Sequence, residues 1–589
     1  MPNQITTAQQ SAITHHKGAC LVLAGPGSGK TFVITHRVAS LITQFQVPGE
    51  QILVITFTKA AAMEMEKRFH NLRPQDHPWF GTFHSCFYYI LKQSYTSVPS
   101  RFITTEEKRS ILREICDSCL DFEDSMELED VERILGLYMN NGLSGKYVPE
   151  YADLSTAKLR NIYVLYHKAL NSYGYMDFDD LMLRCYELLK NNPEIQKRWQ
   201  QQFSYILVDE CQDMNVLQYE ILKLLAGTEG NVFMVGDDDQ SIYRFRGARV
   251  ELMQRFLEEY KPVRVINLDW NFRSTGGIVE SCKLVIGQNK NRFAKEIQAF
   301  SEKKSGVSVK AFPLKRDMHQ FLFDSFQAKE PGLLSNSAII YRTNKELRSM
   351  AYRFRRMGIA YQSKEDLKSI FDEEWYLDVE AYFKLGLGSR DRQYILRVAN
   401  KPNRFIKREQ LVNFTYLPSS LSQAVKHINS MRPYLAIKYI WSGIGYGRWL
   451  ERQLDKDTDQ WDAICEQMEE ISMEMKQFAT LEDWILHVEE DRLQQKGQRK
   501  AADNGEGVHL LTMHASKGLE FEEVYLLEVN KGKVPKGSKL TLDELEEERR
   551  LFYVAMTRAK SNLYLCYLEG IRDHTLMPSD FILPILGQK

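Results

Sequence analysis

The chain has 589 residues, 43% of them hydrophobic and 26% charged, with a formal net charge of −1. That length predicts several domains, and the neutral balance shows no global basic excess, which leaves a confined basic groove compatible with it because binding depends on the local field. No apolar run approaches the ~18–20 residues of a membrane span, "MPNQITTAQQ" lacks a signal-peptide core, and scattered cysteines fit a reducing compartment, so a soluble, cytoplasmic protein with no membrane partner is expected.

In chain order, apolar strand-type runs come first: "ACLVLAG" (19–25), "ILVITFT" (52–58), "YILVDE" (205–210) and "VFMVGD" (232–237). Their near-continuous hydrophobicity suggests strands buried on both faces, as in a parallel sheet. Helical stretches such as 30–43 and 59–72 lie between them, an α/β alternation. Residues 86–190 read as amphipathic helices, broken by turns such as "NNGLSGKYVPE". A C-x-x-C at Cys116 and Cys119 has no second pair, so it reads as two helix-face thiols, not a metal site. A second strand set follows: "SAIIYRT" (337–343), "VHLLTMH" (508–514), "VYLLEV" (524–529) and "NLYLCYL" (562–568). Residues 405–504 are again helix-like and Met-rich, and "QQKGQRKAADNGEG" (494–507) reads as a mobile linker.

The strongest local signal is "CLVLAGPGSGKTFVITHRV" (20–38): strand, glycine-rich loop, helix. Gly25, Gly27 and Gly29, with Ala24, Pro26 and Ser28 between and beside them, let backbone N–H groups curl toward phosphate oxygens. The helix N-terminus adds its dipole. Lys30 is expected to reach the β- and γ-phosphates of ATP and Thr31 to hold Mg²⁺. Ala24 stands where the usual pattern has glycine, and small size suffices there. An acid for the metal is expected after another strand, and "SYILVDECQD" supplies it: Asp209 for Mg²⁺, Glu210 to orient and deprotonate the attacking water.

Taken together, these blocks resemble the superfamily 1 helicases of the UvrD/Rep/PcrA type. The resemblance is carried in order by "TTAQQSAI", "AGPGSGKT", "TFTKAAAMEM", "GTFHS", "DFDDLM", "VDECQD", "VGDDDQSIYRFRGA", "WNFRS", "YRTN", "TMHASKGLEF" and "EEERRLFYVAMTRAK". It implies two RecA-like P-loop motor domains with parallel sheets, each carrying a helical insertion. The boundaries it suggests are 1–85 and 191–275 for the first motor with insertion 86–190, and 276–404 and 505–589 for the second with a shortened insertion 405–504. The chain in that reading ends soon after its last motif, without a tail or a nuclease domain.

The resemblance further implies residue roles. Gln9, Arg37, Phe272 and Glu520 lie at positions near the base and ribose, Phe272 standing where the family has a stacking tyrosine. Gln240 senses the γ-phosphate through the attacking water, and Arg273 and Arg558 reach that phosphate. Arg549 and Arg550 are expected in surface ion pairs, and Asp238 to be solvated. Single-stranded DNA is expected to meet Phe57, Thr82, His84, Tyr243, Phe245, Arg246, Arg342, Asn344 and His514. Alternation along 243–246 would set the rings on one face and the arginines on the other, and Phe245 stands where the family carries tryptophan. The expected activity is ATP-dependent 3′→5′ translocation and unwinding at single-strand/duplex junctions, in DNA repair or defence. The short second insertion supports an alternative, a DNA-stimulated ATPase sensor beside a partner such as a nuclease or repair factor.

Overall fold

The computed structural model describes residues 5–94, 99, 101–119, 127–141, 155–227, 230–303, 306–365, 367–407, 417–454, 458–501, 506–537, 539–571 and 574–587. Most of the expected break at 140–150 lies outside them. The chain forms two compact units, residues 1–313 with 516–589, and 314–515.

The first unit is built on six parallel strands: β1 (Ala19–Ala24), β2 (Ile52–Thr56), β3 (Trp79–Thr82), β4 (Tyr205–Val208), β5 (Asn231–Gly236) and β6 (Val263–Leu268), in the order β3-β2-β4-β5-β1-β6. Side chains alternate between faces. Leu21, Leu53, Val208 and Met234 enter one core and Cys20, Val54, Leu207 and Val235 the other. Both faces of the four inner strands, β2, β4, β5 and β1, are therefore dry, which explains their unbroken apolar runs. Helices α1 (Thr7–Ile13) and α2 (Lys30–Thr43) belong to this unit, as does α3 (Phe178–Asn191), the last of a helical set within 83–191. The set has its own core around Leu135, Ile162 and Tyr166. Later in the unit, Val307–Phe312, Ala559–Leu568 and Phe521–Leu526 pair in parallel, and α4 (Leu542–Met556) precedes Arg558.

In the second unit, Ser337–Tyr341 and Tyr361–Gln362 each pair in parallel with Val508–Thr512. Its helices, including Thr458–Glu474 and Leu481–Ala501, pack around Phe371, Trp375, Tyr376 and Trp484. The expected linker at 494–507 is helical through Ala501, a correction that follows from its Gln- and Lys-rich start favouring helix; 502–505 lie outside the described residues. Parallel strands alternating with helices throughout make the chain α/β, the class expected of RecA-like motor domains. No described helix is long and apolar enough to cross a membrane.

Candidate nucleotide and nucleic-acid site

The C-terminal ends of the parallel strands collect the polar residues, as open α/β sheets do where ligands bind. After β1 the loop Gly25–Gly29 turns tightly, with Gly27 at φ 66° and Gly29 at φ 85°. Ser28 closes it by donating from Oγ to the Gly25 carbonyl, 2.8 Å. Lys30 opens α2, 3.4 Å from the Ala24 carbonyl and 4.0 Å from Glu210. Pro26 is buried and Thr31 half-buried beside it. Gln9, buried on α1, accepts from the Thr6 N–H at 3.1 Å and donates to the Ser28 carbonyl at 3.0 Å, so the capping box of α1 is tied to the loop.

Asp209 and Glu210 follow β4. Asp209 is buried, Oδ2 lies 3.5 Å from the Thr56 hydroxyl, and Oδ1 has no hydrogen-bond partner among the described residues. A buried carboxylate oxygen left unpaired fits Mg²⁺, a hard cation taking oxygen ligands. Burial and the neighbouring Glu210 charge push the Asp209 carboxyl up. Burial works against Glu210 too, but Lys30 and Lys517 hold its carboxyl below the usual range. Glu210 adopts the left-handed region at φ 52°, costing on the order of 1 kcal/mol at a non-glycine residue. Gln212 donates to it at 2.5 Å and accepts from the Asp237 N–H at 3.0 Å, joining the β4 loop to the β5 loop.

In the β5 loop, Gln240 donates to Asp237 at 2.6 Å. Its amide oxygen accepts from Arg558 at 3.3 Å, and its backbone carbonyl from Lys517 at 2.8 Å. Arg558 is buried, which pushes its guanidinium down to about 9, and it is fixed by the Val554 and Leu519 carbonyls at 2.8 and 3.1 Å. Lys517 also bonds Asp213 and lies 4.9 Å over the Tyr243 ring. Sequence reasoning quoted the block "HASKGLEF" without singling out this lysine, its only strong cation.

Asp238 is fully buried, contrary to the expected solvation. Lys295 reaches Asp237, Asp238 and Asp239, with 2.9 Å to the last, and Arg292 forks onto Asp239 at 2.9 and 2.6 Å. The three carboxylates are close enough together to hold a cation, and the Lys295 ammonium supplies it. Lys295 lies in "NRFAKEIQ", where no local pattern marks it.

Phe272 and Arg273 cover the phosphate loop: the Phe272 N–H donates to the Gly27 carbonyl at 2.9 Å. Phe272 stays half-exposed, 5.1 Å from the Phe300 ring. Arg273 donates to Glu520 at 2.7 Å and the Thr557 carbonyl at 3.3 Å. Arg37 departs from expectation. It is buried under α1, bonded to the His15 and Ala12 carbonyls, with its guanidinium 4.2 Å over Phe233. It packs the core and is not open to a base or ribose. Arg549 and Arg550 are also buried, bonded to Asn289 and the Asn291 carbonyl, and not in surface pairs.

The residues expected to meet DNA fall in three places. Phe57 follows β2, Thr82 ends β3 and His84 lies two residues beyond it, the two strands ending in register at Thr56 and Thr82. Phe57 packs edge-on against Phe83 at 5.3 Å and His84 edge-on against Phe178 at 5.2 Å. Phe178, at the start of α3, is 60% exposed and was missed by sequence reasoning although "DFDDLM" carries it. Tyr243, Phe245 and Arg246 belong not to a strand but to a 3₁₀ turn at Arg244–Arg246. The turn ends at Gly247 with φ 94°, which only glycine adopts readily, so the rings meet edge-on at 6.1 Å instead of sharing a strand face. Arg246 lies over both rings, at 5.3 and 5.4 Å. In the second unit, Arg342 and His514 follow strands paired at Tyr341 and Thr512, and Asn344 opens an exposed helix start.

Residues 5–261 match the model of the UvrD/REP helicase N-terminal domain, and 266–434 with 413–570 that of the UvrD-like helicase C-terminal domain. Protein YjcD of Bacillus subtilis (strain 168), named for an ATP-dependent DNA helicase, is 32% identical over 99% of this chain and 81% of its own length. DNA helicase II of Haemophilus influenzae (strain ATCC 51907 / DSM 11121 / KW20 / Rd) is 30% identical over 98% of this chain and 86% of its own. The ATP-dependent DNA helicase Rep of Escherichia coli (strain K12) is 28% identical over 99% and 94%. With both family domains matched along its length and relatives at 30–32% identity covering nearly all of it, the chain belongs to the UvrD/Rep family of ATP-dependent DNA helicases.

Proposed function

We propose that the chain hydrolyses ATP to move 3′→5′ along single-stranded DNA and to unwind duplex at junctions. The observation that carries this is the loop 237–247, in which Gln240 meets Arg558 at one end and Tyr243 and Phe245 stand at the other. Polarity, and the domain limits 1–85, 86–190, 191–275, 276–404, 405–504 and 505–589, rest on the family resemblance.

Backbone N–H groups of the glycine loop and Lys30 bind the phosphates of ATP. Thr31 and Asp209 would hold Mg²⁺, which supplies charge neutralisation of the phosphates. Glu210, kept ionised by Lys30 and Lys517, orients the attacking water and takes its proton. Arg558 and Arg273 stabilise charge on the transferring group; Arg273 must first leave Glu520. Phe272 offers a ring face to the base, and Tyr243, Phe245 and Arg246 stack and track the strand.

The test is displacement from 3′-tailed and 5′-tailed duplexes. Fast displacement from the 3′ tail, abolished by Lys30→Ala, is expected. Reversed or equal preference overturns the polarity. DNA-stimulated hydrolysis without displacement supports the sensor reading suggested by the short insertion.

A further inference from the structure

The strand-facing turn is held from a second direction. Helix α4 begins with a capping box, Thr541 with Glu544, that fixes its first turn. Asp543 and Glu547, four residues apart, lie on one helix face. Both engage Arg244, the residue between Ile242–Tyr243 and Phe245: Glu547 accepts its backbone N–H at 3.2 Å and Asp543 its guanidinium at 2.9 Å. Glu547 lies in a desolvated position that raises its carboxyl, and Arg244 is the chief influence lowering it, by charge and by its N–H.

The body of α4 is braced. Glu546 accepts the Lys290 N–H at 2.7 Å, Asn289 donates to the Glu546 carbonyl at 3.0 Å, and Arg550 donates to the Asn291 carbonyl at 2.6 Å. Just past its end, Arg558 reaches Gln240. Helix α4 and the arginine just past its end thus contact the β5 loop at two points, Arg244 and Gln240. These contacts give a route from Arg558 to the turn bearing Tyr243 and Phe245 that bypasses the loop's own backbone.

We propose that Arg244 is a positioning residue whose bonds to Asp543 and Glu547 couple α4 to the strand-gripping turn, so that DNA stimulates ATP hydrolysis through this ionic tie. The inference rests on the functional reading above. The competing role is contact with a DNA phosphate, open in principle because the Arg244 side chain is 39% exposed.

Charge reversal separates the two. ATPase would be measured with and without oligo-dT for the unmodified chain, Arg244→Glu, Asp543→Arg and the double reversal, alongside oligo-dT affinity. Each single change is expected to lower DNA stimulation roughly three- to fivefold, the scale of a partly exposed ion pair with a hydrogen bond. Basal hydrolysis should stay within about twofold, since none of these side chains lies at the phosphates. The double reversal should recover most of the stimulation. Arg244→Gln, which keeps the backbone bond to Glu547, should be intermediate. Unchanged stimulation in Asp543→Arg overturns the proposal, as does a double reversal that stays impaired with weakened oligo-dT binding. Absence of DNA stimulation in the unmodified chain overturns the functional reading itself, and this inference with it.

Discussion

Lys295 holds three buried carboxylates together while 2% exposed. Burial lowers its affinity for a proton, but Asp237, Asp239 and Asp238 more than offset that and raise it. Removing one partner from a buried ionic group strands the others. Lys295→Met should therefore destabilise the chain by roughly 3–5 kcal/mol, read by urea unfolding. Asp238→Asn, which leaves two carboxylates for the ammonium, should cost clearly less. The grouping of the residues proposed to meet the phosphates was legible because they are sequence neighbours: glycines, Lys30 and Thr31 within one loop, Asp209 beside Glu210. The aspartate cage was not, because Lys295 is 58 residues from Asp237 and no spacing rule connects them. Arg37 misled for the opposite reason: its place in "THRVAS" fits the family position, but its side chain turns onto Phe233.

At the scale of elements, α2 and the helix Lys59–Leu72 begin and end where the apolar periodicity predicts. The strands end a residue or two early, because their last residues become the ligand loops: β2 stops at Thr56 and frees Phe57, and β4 stops at Val208 and frees Asp209. The turn at 244–246 was misread because alternating rings and arginines mimic a strand; the bond from the Gly247 N–H to the Arg244 carbonyl, 2.8 Å, closes it instead. The phosphate loop depends on backbone shape in the same way. A Cβ on Gly27 would lie 2.6 Å from Arg273 Cβ and 2.8 Å from Asn271 Oδ1, at φ +66°. Gly27→Ala should cost ~1–2 kcal/mol of left-handed strain and displace Arg273. The expected outcome is an ATP KM raised roughly tenfold or more, with secondary structure by circular dichroism unchanged.

Across the whole molecule, the residues proposed to meet the nucleotide share one compact unit although 25–31 and 558 lie at opposite ends of the sequence. A ligand binding only the folded state stabilises it by about 2.7 kcal/mol at a hundredfold excess over Kd. A non-hydrolysable ATP analogue at that excess should slow hydrogen exchange together at 25–31, 271–273 and 554–558. Protection at the phosphate loop alone would count against Arg558 joining the site.

The discontinuity of that unit also sets an order of events during synthesis. The glycine loop and both acids are complete by residue 210, yet residues 314–515 are made before Arg558 appears. At ~5–20 residues per second, the chain between Pro313 and Arg558 takes roughly ten to fifty seconds to emerge. Until then a nascent chain displays a phosphate loop whose glutamine switch has no arginine to meet it. The contact between Arg558 and Gln240 is therefore among the last of that unit to form, after the whole of 314–515 has been made.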